Sequence, residues 1–181
     1  MDQFTYAERA TYLRGKNNIA KYNFRQIKLE YKTIPKWVVM SPGTGGTSAT
    51  IGRFIRYQQH STKLCVVDPE NSVFHDFFKT GNPELKGNCG SKIEGIGRPR
   101  VEPSFIPGVI DEMRTIPDAA SVATAHWLEK ILGRKVGAST GTNLYGALQI
   151  ARDMQARGDT GSSVTLLCDS GERYLDTYYN S

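Results

Sequence analysis

The sequence predicts an α/β domain built on a mainly parallel sheet flanked by helices. Three observations carry that expectation. Three short apolar runs, Trp37-Val38-Val39-Met40, Leu64-Cys65-Val66-Val67 and Val164-Thr165-Leu166-Leu167, are each bounded by turn-forming residues, the pattern of strands buried on both faces. Helix-length amphipathic patterns lie between them, as crossover connections require. The 181 residues are 39% hydrophobic and 23% charged, the composition of one folded domain rather than a disordered chain.

The elements follow in chain order. The stretch from Asn17 to Lys32 reads as a helix, and Trp37–Met40 as the first strand. Ile51, Phe54 and Ile55 recur at i, i+3, i+4, with Arg53 and Arg56 on the other side, so a helix follows. Leu64–Val67 is the second strand. Residues 69 to 110 are rich in Gly, Pro and Asn and read as long loops over the sheet edge. Residues 120 to 132 carry Leu128, Ile131 and Leu132 and end at Gly133, a helix C-cap. Lys135-Val136-Gly137-Ala138 is a short fourth strand candidate. From Thr142 onward, Leu144, Ala147, Leu148, Ala151 and Met154 trace one apolar helix face, and Val164–Leu167 closes the pattern.

Composition excludes several classes. No apolar run approaches the ~20 residues of a membrane span, and the opening residues have neither the apolar core nor the cleavage site of a secretory signal. Cys65, Cys89 and Cys168 lack metal-like spacing, and an odd count points to free thiols in a reducing, cytoplasmic compartment. The net charge of +5 comes from basic residues spread along the chain, which argues against a nucleic-acid surface.

The sharpest local feature is Ser41-Pro42-Gly43-Thr44-Gly45-Gly46-Thr47-Ser48 between the first strand and its helix. Glycines let the backbone turn tightly and converge several N–H groups, and a helix start adds unpaired N–H groups and partial positive charge. Thr44 and Thr47 can add hydroxyl donors. This is a recipe for binding a phosphate. A Walker A loop is excluded because no Lys lies in the turn. A dinucleotide fingerprint lacks its third glycine, since Ser48 stands there, although Asp68 ends the next strand where a ribose-binding acid would sit. A plain strand-to-helix turn is the bland alternative. A second small-residue turn, Gly137-Ala138-Ser139-Thr140-Gly141, again precedes a helix. Two such helix starts can face one crevice, or Ser139 or Thr140 can serve only as an N-cap.

Four segments occur in order: Gly43–Thr47, Glu94-Gly95-Ile96-Gly97, Gly137–Gly141, and Asp169-Ser170-Gly171-Glu172-Arg173-Tyr174-Leu175. Together they resemble the successive motifs of the pyridoxal-phosphate-dependent cysteine synthase and cystathionine β-synthase family, fold type II (tryptophan synthase β-like). The likeness covers nearly the whole chain. Asp2–Arg9 and Asp68-Pro69-Glu70-Asn71-Ser72 look closest to its L-cysteine desulfhydrase branch.

The resemblance implies pyridoxal 5'-phosphate as cofactor. Gly43, Thr44, Gly45, Gly46 and Thr47 match the loop holding its phosphate, and Ser139 matches the serine whose hydroxyl meets the pyridine nitrogen. Gly95 matches a glycine lining the cofactor face, and Gln3 a glutamine near the substrate carboxylate. A hydroxyl at the ring nitrogen, unlike a carboxylate, does not hold it protonated, which favours expulsion of a β-substituent. The implied reaction is β-elimination on L-cysteine giving sulfide, pyruvate and ammonia. The alternative on the same scaffold is cysteine synthase β-replacement, with O-acetylserine as substrate. An inactive chain retaining only a phosphate half-site is the alternative of another class.

The family's Schiff-base lysine belongs to a Lys-Asp-Arg-type motif that is not found in this sequence, so no catalytic residue is assigned in the chain. The expectation is a C-terminal fragment of a two-domain enzyme that is inactive by itself and a homodimer when complete. Residues 1–12 would be the end of the small domain and crossover, and 13–181 the C-terminal part of the large domain. Small amino acids are the implied ligands, with no nucleic acid, membrane or metal.

Other chemistry-bearing residues have simpler readings. His60, His75 and His126 lack ligand-like neighbours, and Cys65 and Cys168 read as small hydrophobes in buried strands. Tyr174, Tyr178 and Tyr179 read as packing or a subunit contact. Arg98-Pro99-Arg100-Val101-Glu102-Pro103 reads as a solvated turn, with an altered substrate entrance as the alternative.

Overall fold

A computed structural model describes Thr5, Ala7 and residues 19–180. The helices are α1 (Ile19–Tyr31), α2 (Gly46–Tyr57), α3 (Phe74–Thr80), α4 (Asp118–Leu132) and α5 (Ala138–Ala156). The strands are β1 (Trp37–Met40), β2 (Lys63–Pro69), β3 (Glu112–Ile116) and β4 (Ser163–Thr165). They form one four-stranded sheet in the order β3-β2-β1-β4, and every pairing is parallel.

The two faces of the sheet carry different helices, because alternate strand residues point to opposite sides. Val38, Met40, Leu64 and Val66 meet Phe24 of α1, Ile51, Phe54 and Ile55 of α2, and Phe74 of α3. Val39, Cys65 and Val67 meet Ala120 of α4 and Ala147, Ile150 and Met154 of α5. The central strand β1 is buried along its whole length, which is why its sequence has no polar alternation. No helix among the described residues is long and apolar enough to cross a membrane.

The α/β expectation is met, with differences at the edges. Residues 69–110 are not all loop: Phe74, Phe77 and Phe78 build the short helix α3, and Phe74 stacks on Phe105 at 4.4 Å between ring centroids. Strand β3 has no uniform apolar run, because it is an edge strand. Its Arg114 reaches Asp153 of α5 at 2.7 Å and also pairs with Glu112, so charge replaces apolar burial on that side. Lys135–Ala138 is not a strand. Val136 makes only an isolated antiparallel bridge to Ser170, and Ala138 already belongs to α5.

Helix α5 therefore starts earlier than the expected Thr142 and places Ser139 in its first turn. Its buried face is Asn143, Gly146, Ala147, Ile150 and Met154, whereas Leu148 is 47% exposed. Strand β4 stops at Thr165, whose hydroxyl donates to the Val39 carbonyl at 2.8 Å. The chain then leaves the sheet, and Leu167 and Cys168 are exposed rather than buried in a strand. Glu102 is not part of a solvated turn: it is 3% exposed and accepts from Arg100 at 3.1 Å.

Candidate functional site

Strand order reverses between β1 and β4, since β2 and β3 follow β1 on one side while β4 returns on the other. Open α/β sheets leave a crevice at such a point, beyond the carboxyl ends of the strands. Here the crevice is two adjoining clefts of about 420 and about 300 Å³. Ser41, Thr47 and Gly95 line both, so they are halves of one site.

The larger cleft is walled by the Gly43–Ser48 turn, Gly95 and Ala7. Gly45 is the N-cap of α2, in the left-handed region at φ 93°. A side chain there would place Cβ 2.5 Å from Phe105 Cα. At Gly43 a Cβ would lie 2.7 Å from the Gly95 carbonyl oxygen. Both glycines are thus required by close backbone approach, and Gly45 by its left-handed conformation as well. The first helical bond of the turn runs from Ala49 N–H to the Gly45 carbonyl at 2.9 Å. The N–H groups of Gly46, Thr47 and Ser48 precede it and have no intrahelical acceptor. Ser48 does not add a side-chain donor, because its hydroxyl is turned back onto the Gly45 carbonyl at 2.9 Å. No lysine or arginine lines this cleft among the described residues. Its pull on an anion comes from backbone N–H groups and the end of α2.

The smaller cleft brings Gly95 together with Ser139, Asn143, Cys168 and Asp169. Gly95 has φ 85° and no heavy atom within 4 Å of the Cβ position, so any side chain there would stand in open space at the cleft wall. The loop bearing it is pinned by Gly97 N–H donating to the Pro42 carbonyl at 2.9 Å and by Val73 N–H donating to the Arg98 carbonyl at 2.9 Å. Ser139 is 6% exposed and faces the cleft from the first turn of α5. Asp169, a carboxylate lining the same cleft, accepts from the Tyr174 hydroxyl at 2.6 Å. That bond, with burial first and the Asp169 charge beside it, pushes the Tyr174 hydroxyl well above its usual range.

The predicted residues therefore converge: Gly43–Thr47, Gly95 and Ser139 line one continuous crevice, although they are far apart in sequence. Gln3 lies outside the described residues. Asp68 does not line the crevice. It is fully buried, and its Oδ2 accepts the His75 N–H at 3.0 Å, so it is no ribose ligand. Asn143 and Cys168 were not legible as site residues. The only signals were the one-turn spacing of Asn143 from Ser139 and the position of Cys168 beside the Asp169 motif.

His60, His126, Tyr178 and Tyr179 make packing and backbone contacts outside the crevice lining. His60 stacks on Phe24 at 5.2 Å, and His126 Nε2 bonds the Tyr178 carbonyl at 2.8 Å. The Tyr178 hydroxyl donates to the Lys92 carbonyl at 2.7 Å and accepts from Glu94 N–H at 3.0 Å, tying the chain end to the Gly95 loop. The Tyr179 hydroxyl donates to the Val136 carbonyl at 2.7 Å.

A parallel α/β sheet with a backbone anion cradle at its switch point defines a class of phosphate-binding proteins. Within it, this chain belongs to the family of pyridoxal-phosphate dependent enzymes, whose pattern its residues 6–169 match. It is 57% identical to the L-cysteine desulfhydrase Cds1 of Mycobacterium tuberculosis, over 99% of this chain and 49% of that protein. It is 35% identical to a putative pyridoxal-phosphate dependent protein of Caenorhabditis elegans, over 82% and 38% of the two chains. Cysteine synthase B of Campylobacter jejuni is 33% identical, over 75% and 41%. The chain thus spans half or less of the length of these relatives.

Proposed function

We infer that this chain is the phosphate- and ring-nitrogen-binding part of an enzyme whose complete form cleaves L-cysteine to sulfide, pyruvate and ammonia. The observation that carries this reading is the 57% identity to an L-cysteine desulfhydrase over nearly the whole chain, against 28–33% for the cysteine synthases. The crevice supports it. Its turn presents the N–H groups of Gly46, Thr47 and Ser48, which have no intrahelical acceptor, where a phosphate fits. The open face at Gly95 suits a flat ring. A neutral hydroxyl, Ser139, stands at the far end of the crevice.

In this reading Gly43–Thr47 hold the cofactor phosphate, Gly95 covers the ring, Ser139 donates to the ring nitrogen, and Gln3 meets the substrate carboxylate. The bound cofactor supplies the electron sink that lets the α-proton and then the β-substituent leave. Ser139 leaves the ring nitrogen without a permanent proton, which directs the reaction toward elimination. In the same reading, residues 1–12 are the end of the small domain and the crossover, and 13–181 the C-terminal part of the large domain. No lysine lines either cleft among the described residues, which supports the reading that the 181 residues alone hold the cofactor without linking it and are inactive. The complete protein is a cytoplasmic homodimer.

The test is to incubate the complete protein with L-cysteine, and separately with O-acetylserine plus sulfide. Sulfide and pyruvate in equal amounts from cysteine are expected. Faster formation of cysteine in the second assay would overturn the lyase reading in favour of a synthase. Ser139→Ala should lower activity about tenfold or more and weaken the cofactor, since one hydrogen bond to a charged or polarised group is worth about 1.5 kcal/mol. An unchanged rate and unchanged cofactor retention would remove Ser139 from the site.

A further inference from the structure

The larger cleft has a third wall that belongs neither to the phosphate turn nor to the Gly95 loop. Ala7, from the start of the chain, lines it beside Gly43–Ser48. Its N–H donates to the Ser104 hydroxyl at 3.0 Å, across 97 positions of the sequence. Ser104 is fully buried, so the bond is made at a point shut off from water, where leaving a donor or acceptor unmade is costly. The approach that it holds is close. A Cβ at Gly46 would lie 2.8 Å from the Ala7 Cβ and 3.1 Å from its carbonyl carbon. Gly46 is the first residue of α2 and is not in the left-handed region, so its conformation does not call for glycine. The space taken by Ala7 does, against the helix propensity that an alanine would bring.

The residue after Ser104 acts on the same turn. Phe105 presses its backbone on Gly45, and it is itself held firmly. It is 3% exposed, its N–H donates to the Glu102 carbonyl at 2.9 Å, and its ring stacks on Phe74. Two neighbouring residues thus brace the start of α2: Phe105 directly at Gly45, and Ser104 through Ala7 at Gly46. The bracing matters because no lysine or arginine lines this cleft among the described residues. An anion there is drawn by N–H dipoles alone, and their pull strengthens as water is kept away. The Ala7 wall shields one side of the turn.

We propose that Ser104 is a positioning residue: by binding the Ala7 N–H it holds the Ala7 wall against Gly46 and so sets the affinity of the larger cleft for a phosphate group. The inference rests on the phosphate reading of that cleft given above. Coupling of this kind is reciprocal. If a docked Ala7 strengthens phosphate binding, bound phosphate strengthens the docking of Ala7.

Two measurements on the complete protein test it, with inorganic phosphate as the probe. Equilibrium dialysis reads the affinity, and amide hydrogen exchange at Ala7, on protein carrying labelled alanine, reads the docking. Ser104→Ala should weaken phosphate about fivefold, the worth of one neutral hydrogen bond. Ala7→Pro removes the N–H while leaving Ser104 in place and should cause the same loss. The double variant should also lose about fivefold, not the roughly 25-fold of independent contacts. In the wild type, saturating phosphate should slow exchange at Ala7 about fivefold, a result that needs no variant to fold. Unchanged phosphate affinity in the two single variants would overturn the proposal, as would multiplying losses in the double variant or Ala7 exchange that ignores phosphate. A wild-type protein that does not bind inorganic phosphate would overturn the phosphate reading of the cleft itself, and the proposal with it.

Discussion

At the scale of single residues, the crevice is shaped by what glycines leave out. Gly43 is the plainest case, because its missing Cβ makes room for the Gly95 carbonyl at 2.7 Å. Gly43→Ala should push the Gly95 loop away from the phosphate turn, weaken inorganic phosphate at least tenfold, and cost about 1–3 kcal/mol of stability. Phosphate dialysis and urea unfolding measure the two effects. Asp68 makes a different prediction. Burial raises its carboxyl from 3.8 to about 7, although the Ser72 side chain and the His75 N–H pull it back down. The folded state then holds a proton that the unfolded state releases between those two values. Asp68 therefore makes the protein less stable as pH rises from about 4 to about 7, and the full cost persists above 7. Asp68→Asn keeps an acceptor for His75 N–H and should raise stability at pH 8, on the order of 4 kcal/mol. It should change little at pH 4. Equal effects at both pH values would show that ionisation of Asp68 is not the cause.

At the scale of elements, the placement of Ser139 depends on how α4 and α5 cross. A Cβ at Gly141 would collide with the Ser121 carbonyl, and the Thr142 and Ser121 hydroxyls bond at 2.7 Å. The first turn of α5 thus lies directly against α4. Gly141→Val should force the helices apart, lower stability by about 2–4 kcal/mol through overpacking and strain, and misplace Ser139. Denaturant midpoints report the first effect. A loss of pyridoxal 5'-phosphate affinity with inorganic phosphate affinity retained reports the second, since the phosphate turn belongs to α2. The buried thiol Cys65 lies in the sheet between these layers, and burial pushes it up to about 12, which accounts for its reading as a small hydrophobe.

At the scale of the whole molecule, the crevice joins parts that meet only in the folded chain: the turn after β1, the Gly95 loop, the start of α5 and the segment after β4. A ligand bound across them stabilises the fold as a unit. Pyridoxal 5'-phosphate at 100 times its dissociation constant should add about 2.7 kcal/mol to the unfolding free energy. A thermal melt with and without the cofactor measures the shift. A cofactor that leaves the melting temperature unchanged at saturation would speak against a site in this chain. The identity to relatives that are about twice as long gives the measurement its natural comparison, the same melt on the complete protein.

The phosphate turn was legible in the sequence because its chemistry is local: glycines, a preceding apolar strand and a following amphipathic helix are neighbours in the chain. The same holds for β1, β2, α2 and α4, whose apolar periodicity is read within a dozen residues. Edge strand β3 was hidden because it satisfies itself with Arg114, Glu112 and Asp153 rather than with an apolar run. The first turn of α5 was hidden because Ala138–Gly141 reads equally well as a turn. By itself, the sequence determined the parallel α/β class, the glycine-rich turn that opens α2 and the family. Only the tertiary structure decided which side chains share the crevice, above all Asn143 and Cys168 beside Ser139. Their proximity follows from two segments packing across the switch point of the sheet, and packing between distant segments leaves no periodic trace in the chain.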